Sequence, residues 1–148
     1  MSQIIYRGRI AGSFYGFSGD QLFKLSNGSY WIQTKYKYWY HYKYRPEVVI
    51  TQENGVHVLT AVGRSIPVRR VFDVIESRIA GAFTGWKGDS MYALENGQIW
   101  QQSVYKYEYK YAYRPDVIIY PTGSTYKMRV DDTEADVRRV AKKTSLVK

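Results

Sequence analysis

Apolar and aromatic residues recur at every second position over most of this chain, and hardly anywhere at the three-and-four spacing of a helix. The pattern predicts strands. RIAGSF, residues 9–14, predicts a short strand entering a Gly-rich bend. QLFKL and YWIQ flank Ser26-Asn27-Gly28-Ser29, and Asn-Gly between two apolar runs is the strongest local hairpin signal. YKYWYHYKYRP, residues 36–46, places a tyrosine at every second position and predicts one long strand that continues through Arg45-Pro46 into Val48-Val49-Ile50. Asn54-Gly55 predicts a second tight turn, into VHVLTAV, and VRRV at 68–71 predicts a last short strand. FDVIESRIAG, from residue 72, is the one place where a single helical turn is expected.

The pattern then repeats. Sliding the sequence by 69 positions lays residues 9–71 on 78–140 without a gap. Arg9-Ile10-Ala11-Gly12 meets Arg78-Ile79-Ala80-Gly81, Asn27-Gly28 meets Asn96-Gly97, and Trp31 meets Trp100. Tyr44-Arg45-Pro46 meets Tyr113-Arg114-Pro115, and Val68-Arg69-Arg70-Val71 meets Val137-Arg138-Arg139-Val140. The expected fold is all-β, a tandem duplication with domains 1–72 and 73–148. Each copy carries about five strands in about sixty residues, the size of a small barrel. One such barrel is marginal alone, so the two are expected to pack on each other. The tail AKKTSLVK is small, polar and basic and is expected to fray.

GAFTGWKGDSMYALENGQIWQQ, residues 81–102, resembles a group of small, largely uncharacterised bacterial proteins. In that group a tyrosine-rich or basic strand follows the WQQ, and a valine-arginine-arginine strand comes last. The resemblance covers essentially each whole repeat. It implies a Src-homology-3-like barrel and implies no activity. Some proteins of this kind travel on mobile elements, including integron cassettes. The first copy departs from the pattern with Gly28-Ser29-Tyr30-Trp31-Ile32-Gln33, so a role for Gln98 or Gln101 would belong to the second copy only.

Composition adds three things. Sixteen of the 148 residues are Tyr, whose polar handle makes the core less oily than a 45% hydrophobic content suggests. Cys is absent, which excludes disulfides, thiolate metal sites and a Cys nucleophile and fits a reducing cytoplasm. No secretory signal is read at the start, and no run approaches the roughly 18 apolar residues of a membrane span. The net charge of +9 favours polyanions and is uneven. Residues 1–72 hold ten Lys/Arg against three Asp/Glu, a surplus of +7, and residues 73–148 hold twelve against ten, +2.

In a strand alternate residues face opposite sides, so the five tyrosines of each ladder share one face. The other face carries Lys37, Trp39, His41 and Lys43 in the first copy and Lys106, Glu108, Lys110 and Ala112 in the second. Three readings follow. The phenols cover the wet edge of a small core or an interface between barrels, since Tyr pairs well across strands. They form a stacking platform for single-stranded nucleic acid, whose bases stack on aromatics while Lys and Arg track the phosphates. Or they anchor a protein partner, as Tyr, Trp and Arg do. One ligand does not easily touch tyrosines on one face and lysines on the other.

Other motifs carry less. Gly12, Gly16 and Gly19 match neither phosphate-loop spacing and read as bends and bulges at a barrel corner, with Asp20 and Asp89 capping that turn. His41 and His57 sit in no cluster with metal-ligand spacing, and His41 is placed on a solvated face. Asp89 with Glu108-Tyr109-Lys110 has the look of a metal-dependent nuclease motif, but the first copy has Trp39-Tyr40-His41 there, and Glu108 reads as a solvated charge. Asp131, Asp132, Glu134 and Asp136 read as a solvated acidic turn.

The expectation is a cytoplasmic, non-catalytic binding module without a cofactor. Its partner is single-stranded nucleic acid, held by Tyr36, Tyr38, Tyr40, Tyr42, Lys37, Lys43 and Arg45 in the first copy and by Tyr105, Tyr107, Tyr109, Lys106 and Arg114 in the second. The alternative is a structural or protein-interaction protein, a homo-oligomer among its options, whose ladders are buried between barrels or subunits.

Overall fold

The structure, a computed structural model, describes residues 2–131 and 133–140. It is all-β, with eighteen strands and no helix among the described residues. The chain divides into two compact units, Met1–Phe72 and Asp73–Lys148.

The first unit holds β1 (Gln3–Arg9), β2 (Ser13–Phe17), β3 (Leu22–Lys24), β4 (Tyr30–Gln33), β5 (Trp39–Tyr44), β6 (Glu47–Glu53), β7 (Val56–Ala61) and β8 (Arg64–Val71). Six of these form one antiparallel sheet in the order β1-β6-β7-β8-β4-β3. The sheet curls until its two edges meet. An Ile10–Leu25 bridge joins them, with Ala11 N–H donating to the Lys24 carbonyl (2.8 Å) and Ser26 N–H to the Arg9 carbonyl (2.7 Å). The remaining two strands, β2 and β5, pair as a separate ribbon.

The second unit holds β9 (Ile75–Arg78), β10 (Ala82–Phe83), β11 (Trp86–Lys87), β12 (Met91–Ala93), β13 (Ile99–Gln102), β14 (Tyr107–Glu108), β15 (Ala112–Tyr113), β16 (Asp116–Thr122), β17 (Thr125–Val130) and β18 (Thr133–Val140). Its six-stranded sheet runs β9-β16-β17-β18-β13-β12, the first unit's order strand for strand. An Ile79–Leu94 bridge again joins the edges. The ribbon is split into the pairs β10–β15 and β11–β14.

Each unit has its own core, and the two correspond residue for residue. Ile10, Phe14, Phe17, Phe23, Leu25, Trp31, Val48, Ile50, Leu59, Ala61, Ile66 and Val68 fill the first. Every member plus 69 is a member of the second: Ile79, Phe83, Trp86, Tyr92, Leu94, Trp100, Val117, Ile119, Met128, Val130, Ala135 and Val137. Alternation accounts for most of this, as at Val48 and Ile50, Leu59 and Ala61, and Ile66 and Val68, while the bulge in β2 lets both Phe14 and Phe17 reach the core.

Both expected Asn-Gly turns form. Leu25 and Ser29 close the first with a 2.9 Å hydrogen bond from Leu25 N–H to the Ser29 carbonyl. Asn54 and Gly55 both have positive φ (53° and 80°), the conformation of a two-residue turn whose twist matches a hairpin. Three expectations are corrected. The expected helical turn is absent, because Ile75–Arg78 is strand β9, paired with Asp116–Ile119. The tyrosine stretch does not continue as one strand into Val48. Arg45 takes a left-handed φ of 49°, its N–H donates to the Gly12 carbonyl (2.8 Å), and the chain passes from the ribbon to the main sheet. Arg114 does the same, with φ 49° and a 2.7 Å bond to the Gly81 carbonyl. With these breaks, another at Ala11-Gly12 and Ala80-Gly81, and the split of the second ribbon into two pairs, the units hold eight and ten strands rather than five. The tail beyond Val140 and Asp132 lie outside the described residues. No helix of the described residues is long and apolar enough to cross a membrane.

Candidate functional site

Three devices hold the tyrosine stretch in place. The first is a glycine. Gly16, at φ 94°, lies so close to the stretch that a Cβ there would collide with the Trp39 carbonyl, and Gly85, at φ 101°, stands in the same relation to the Glu108 carbonyl. Any side chain at either position would force the ribbon apart. A register shift between Phe14 and Gly16 marks the bulge.

The second device is a buried glutamine. Gln33 is 3% exposed and Gln102 is 2% exposed. Gln33 Oε1 accepts from Ser18 N–H (3.0 Å), while its Nε2 donates to the carbonyls of Ser18 and Lys35 (2.9 Å to Lys35). Gln102 Oε1 accepts from Lys87 N–H (3.1 Å) and Gly88 N–H (3.0 Å), and its Nε2 donates to the Val104 (3.1 Å) and Lys106 (2.8 Å) carbonyls. Among the described residues the entry to the ladder has no strand partner in either unit, so the amide supplies hydrogen bonds that a neighbouring strand would give. The third device is the left-handed arginine that ends the stretch.

So held, the phenols point outward. Tyr36, Tyr38, Tyr40, Tyr42 and Tyr44, with Tyr105, Tyr107, Tyr109, Tyr111 and Tyr113, are 51–77% exposed. They do not cover the edge of their own unit's core. Tyr40, Tyr42 and Tyr44 lie in β5 and share its outer face, at a spacing of about 6.6 Å set by the strand. Tyr15, exposed on β2, sets its ring 5.4 Å from that of Tyr42 and widens the platform. In the second unit Thr84 stands where Tyr15 does, and the ladder is strand only at Tyr107–Glu108 and Ala112–Tyr113.

On the opposite face Trp39 and His41 turn inward while Lys37 and Lys43 stay exposed, and here the units differ. In the first, Trp39 packs on the core against Phe17 (5.2 Å) and Phe14 (6.2 Å). The His41 ring stacks on Trp39 at 5.2 Å, and the Arg64 guanidinium sits 4.8 Å from its centroid. His41 is therefore half-buried against Trp39 rather than on an open face. In the second unit Glu108 occupies the position of Trp39, and the indole comes instead from Trp86, at the position of Phe17. Trp86 Nε1 donates to Thr133 Oγ1 (2.9 Å), which donates to Glu108 Oε1 (2.9 Å). Glu108 is thus a bonded, half-buried group, which corrects its reading as a solvated charge.

The cations separate in the same way. Lys37 Nζ donates weakly to the Ser65 carbonyl (3.5 Å), and its counterpart Lys106 donates to the Glu134 carbonyl (2.6 Å) while lying 3.5 Å from Glu108 Oε1. Arg114 is gripped by Glu95, with Nε at 2.7 Å and Nη2 at 2.5 Å from Oε2. The counterpart of Glu95 is Ser26. Neither the Arg45 guanidinium nor the Lys43 ammonium has a hydrogen bond or ion pair among the described residues.

No family model, no curated protein and no solved structure matches this chain. Among the described residues no three His, Asp or Glu are grouped so as to hold a metal ion, Asp89 and Glu108 included. His57 lies edge-on to Trp31 (5.2 Å), as Tyr126 does to Trp100 (5.2 Å), so it is a packing ring. Ser29 and Gln98 both accept the indole N–H of the Trp two residues on (3.0 and 3.1 Å), so the Gln98 role is shared by both copies. Glu134 and Asp136 lie in β18, not in a turn, and Glu134 pairs with Lys127 (3.6 Å). The Tyr92 hydroxyl donates to the Gly85 carbonyl (2.8 Å), and burial raises its phenol pKa against a smaller lowering by Ser90.

Proposed function

We propose that the protein is a non-catalytic module that takes single-stranded nucleic acid on its tyrosine faces, built as a tandem duplication of two small Src-homology-3-like barrels. The outward exposure of all ten ladder tyrosines carries this reading. Large exposed aromatics cost solubility and are spent where a ligand covers them. Rings at every second residue match the pitch of an extended single strand, and stacking on a phenol is indifferent to base identity. Lys43 and Arg45, beside Tyr42 and Tyr44, supply phosphate contacts.

Fluorescence anisotropy of labelled single-stranded DNA, single-stranded RNA and duplex DNA, run from low to physiological salt, tests the reading. Micromolar or tighter single-strand binding that persists at physiological salt is the expected result. Binding that disappears with salt equally for all three would leave only the attraction of a +9 protein for polyanions. A protein-partner reading would then take its place, favoured by the second ladder, where exposed phenols stand beside cations already paired with carboxylates.

A further inference from the structure

We infer that the two ladders are not equivalent sites: the first is the polyanion site, and Glu95 and Glu108 close the second to phosphate. The inference rests on the nucleic-acid reading above and adds to it which half acts and what decides.

Exposure of the ladder tyrosines does not distinguish the halves, because all ten are exposed, although Tyr15 widens the first platform alone. The cations do. Arg45 and Arg114 share the same backbone conformation and the same position after the last phenol. Arg114 has its fork filled by the Glu95 carboxylate, whereas the first unit has Ser26 in place of Glu95, a hydroxyl bonded to Tyr6 and to the Arg9 N–H. Lys37 and Lys106 both reach toward the last strand of their sheets. Lys106 has the Glu108 carboxylate 3.5 Å away, and Lys37 has the indole of Trp39 at that position. An incoming phosphate must displace a carboxylate from Arg114 and from Lys106, and the carboxylates repel it besides. On the first unit it meets neither obstacle. The surplus of charge, +7 against +2, agrees with the pairwise contacts.

Glu108 cannot simply be removed, because it accepts from Thr133, which accepts from buried Trp86. Glu108→Gln keeps an acceptor oxygen and removes the charge. Glu95 lies in an exposed turn, and Glu95→Ser installs the first unit's residue.

The test is the salt dependence of oligothymidylate binding by the full chain. The variant E95S/E108Q should bind a second oligonucleotide per chain, and the two freed cations should give that second site a logarithmic salt slope of about 1.4, at about 0.7 per single-strand phosphate contact. Ser26→Glu, which offers Arg45 a carboxylate, should weaken wild-type binding about tenfold and flatten the slope by about 0.7. Circular dichroism on each variant separates loss of site from loss of fold. An unchanged stoichiometry and slope in E95S/E108Q would overturn the inference, as would an R114A variant weaker than R45A. No binding by the wild type would instead defeat the reading beneath it.

Discussion

Below the ladder the first unit packs a half-buried Trp39 between buried Phe17 and the guanidinium of Arg64, whereas the second buries Trp86 over Thr133 and Glu108. All three positions changed, and all three are the same positions, 69 residues apart. One indole fills the space in both, delivered from the ladder in one unit and from the facing strand in the other. Close packing demands a fixed volume and leaves its source open. The choice has an outward consequence. With the indole on the ladder, no carboxylate stands beside Lys37. With the indole on the facing strand, the vacated ladder position carries Glu108, which satisfies the threonine and pairs with Lys106.

The sharpest way to break this comparison is to move one member alone. Trp39→Glu removes a large core contact and sets a carboxylate against Phe14 and Phe17, and should cost about 3–5 kcal/mol in urea unfolding. The triple exchange F17W/W39E/R64T installs the second unit's set and should recover more than half of that loss, a coupling expected of residues in contact. If the triple variant is as unstable as the sum of its parts, the two arrangements are not alternatives for one volume.

A smaller effect sharpens what the units share. Gln102→Ala leaves the amides of Lys87 and Gly88 and the carbonyls of Val104 and Lys106 without their partner. The expected loss is about 1–3 kcal/mol. Amide exchange at Lys87 and Gly88 should accelerate well before exchange in β16 and β17. Gln33→Ala should do the same at Ser18, and uniform acceleration across the unit would show that the amide is not a local clamp.

The smallest effect concerns Tyr92, whose first-unit counterpart is Phe23. Its folded pKa is raised by burial above the ordinary value of about 10. The folded state therefore holds the phenol proton more tightly than the unfolded state does. The associated stability is complete below pH about 10 and is lost as pH rises through the raised value. Tyr92→Phe should lose about 1 kcal/mol at neutral pH, from the bond to the Gly85 carbonyl, and lose less than the wild type on going to alkaline pH. Parallel pH profiles for the two proteins would contradict this.

The hairpins were legible because Asn-Gly encodes a turn within two residues. The matched cores were legible because alternation and the repeat are properties of the chain itself. The break at Arg45 was not, since nothing in an Arg-Pro pair announces a left-handed arginine. It arises because Gly12 offers its carbonyl from the bend between β1 and β2. The glutamine clamp was hidden as well, because Gln at a strand end reads as a solvent-facing residue. Its one trace is that Gln33 and Gln102 coincide while Ile32 and Gln101 beside them differ. The exchange of indoles left a fainter trace: each copy has two Trp, one shared position and one not. Exposure of the ladder was beyond the sequence, since a period of two says that two faces differ and not which one is wet.

The central claim is that the phenols of β5 are held outward to be covered by a ligand. It is tested most directly by comparing the wild type with Y40A/Y42A for binding to labelled oligothymidylate at physiological salt. Stacking worth about 1–3 kcal/mol per base predicts micromolar or tighter binding by the wild type, weakened at least tenfold in a variant that keeps the wild-type urea midpoint. Equal affinity of the two proteins, or a variant that loses its fold instead of its ligand, would contradict it.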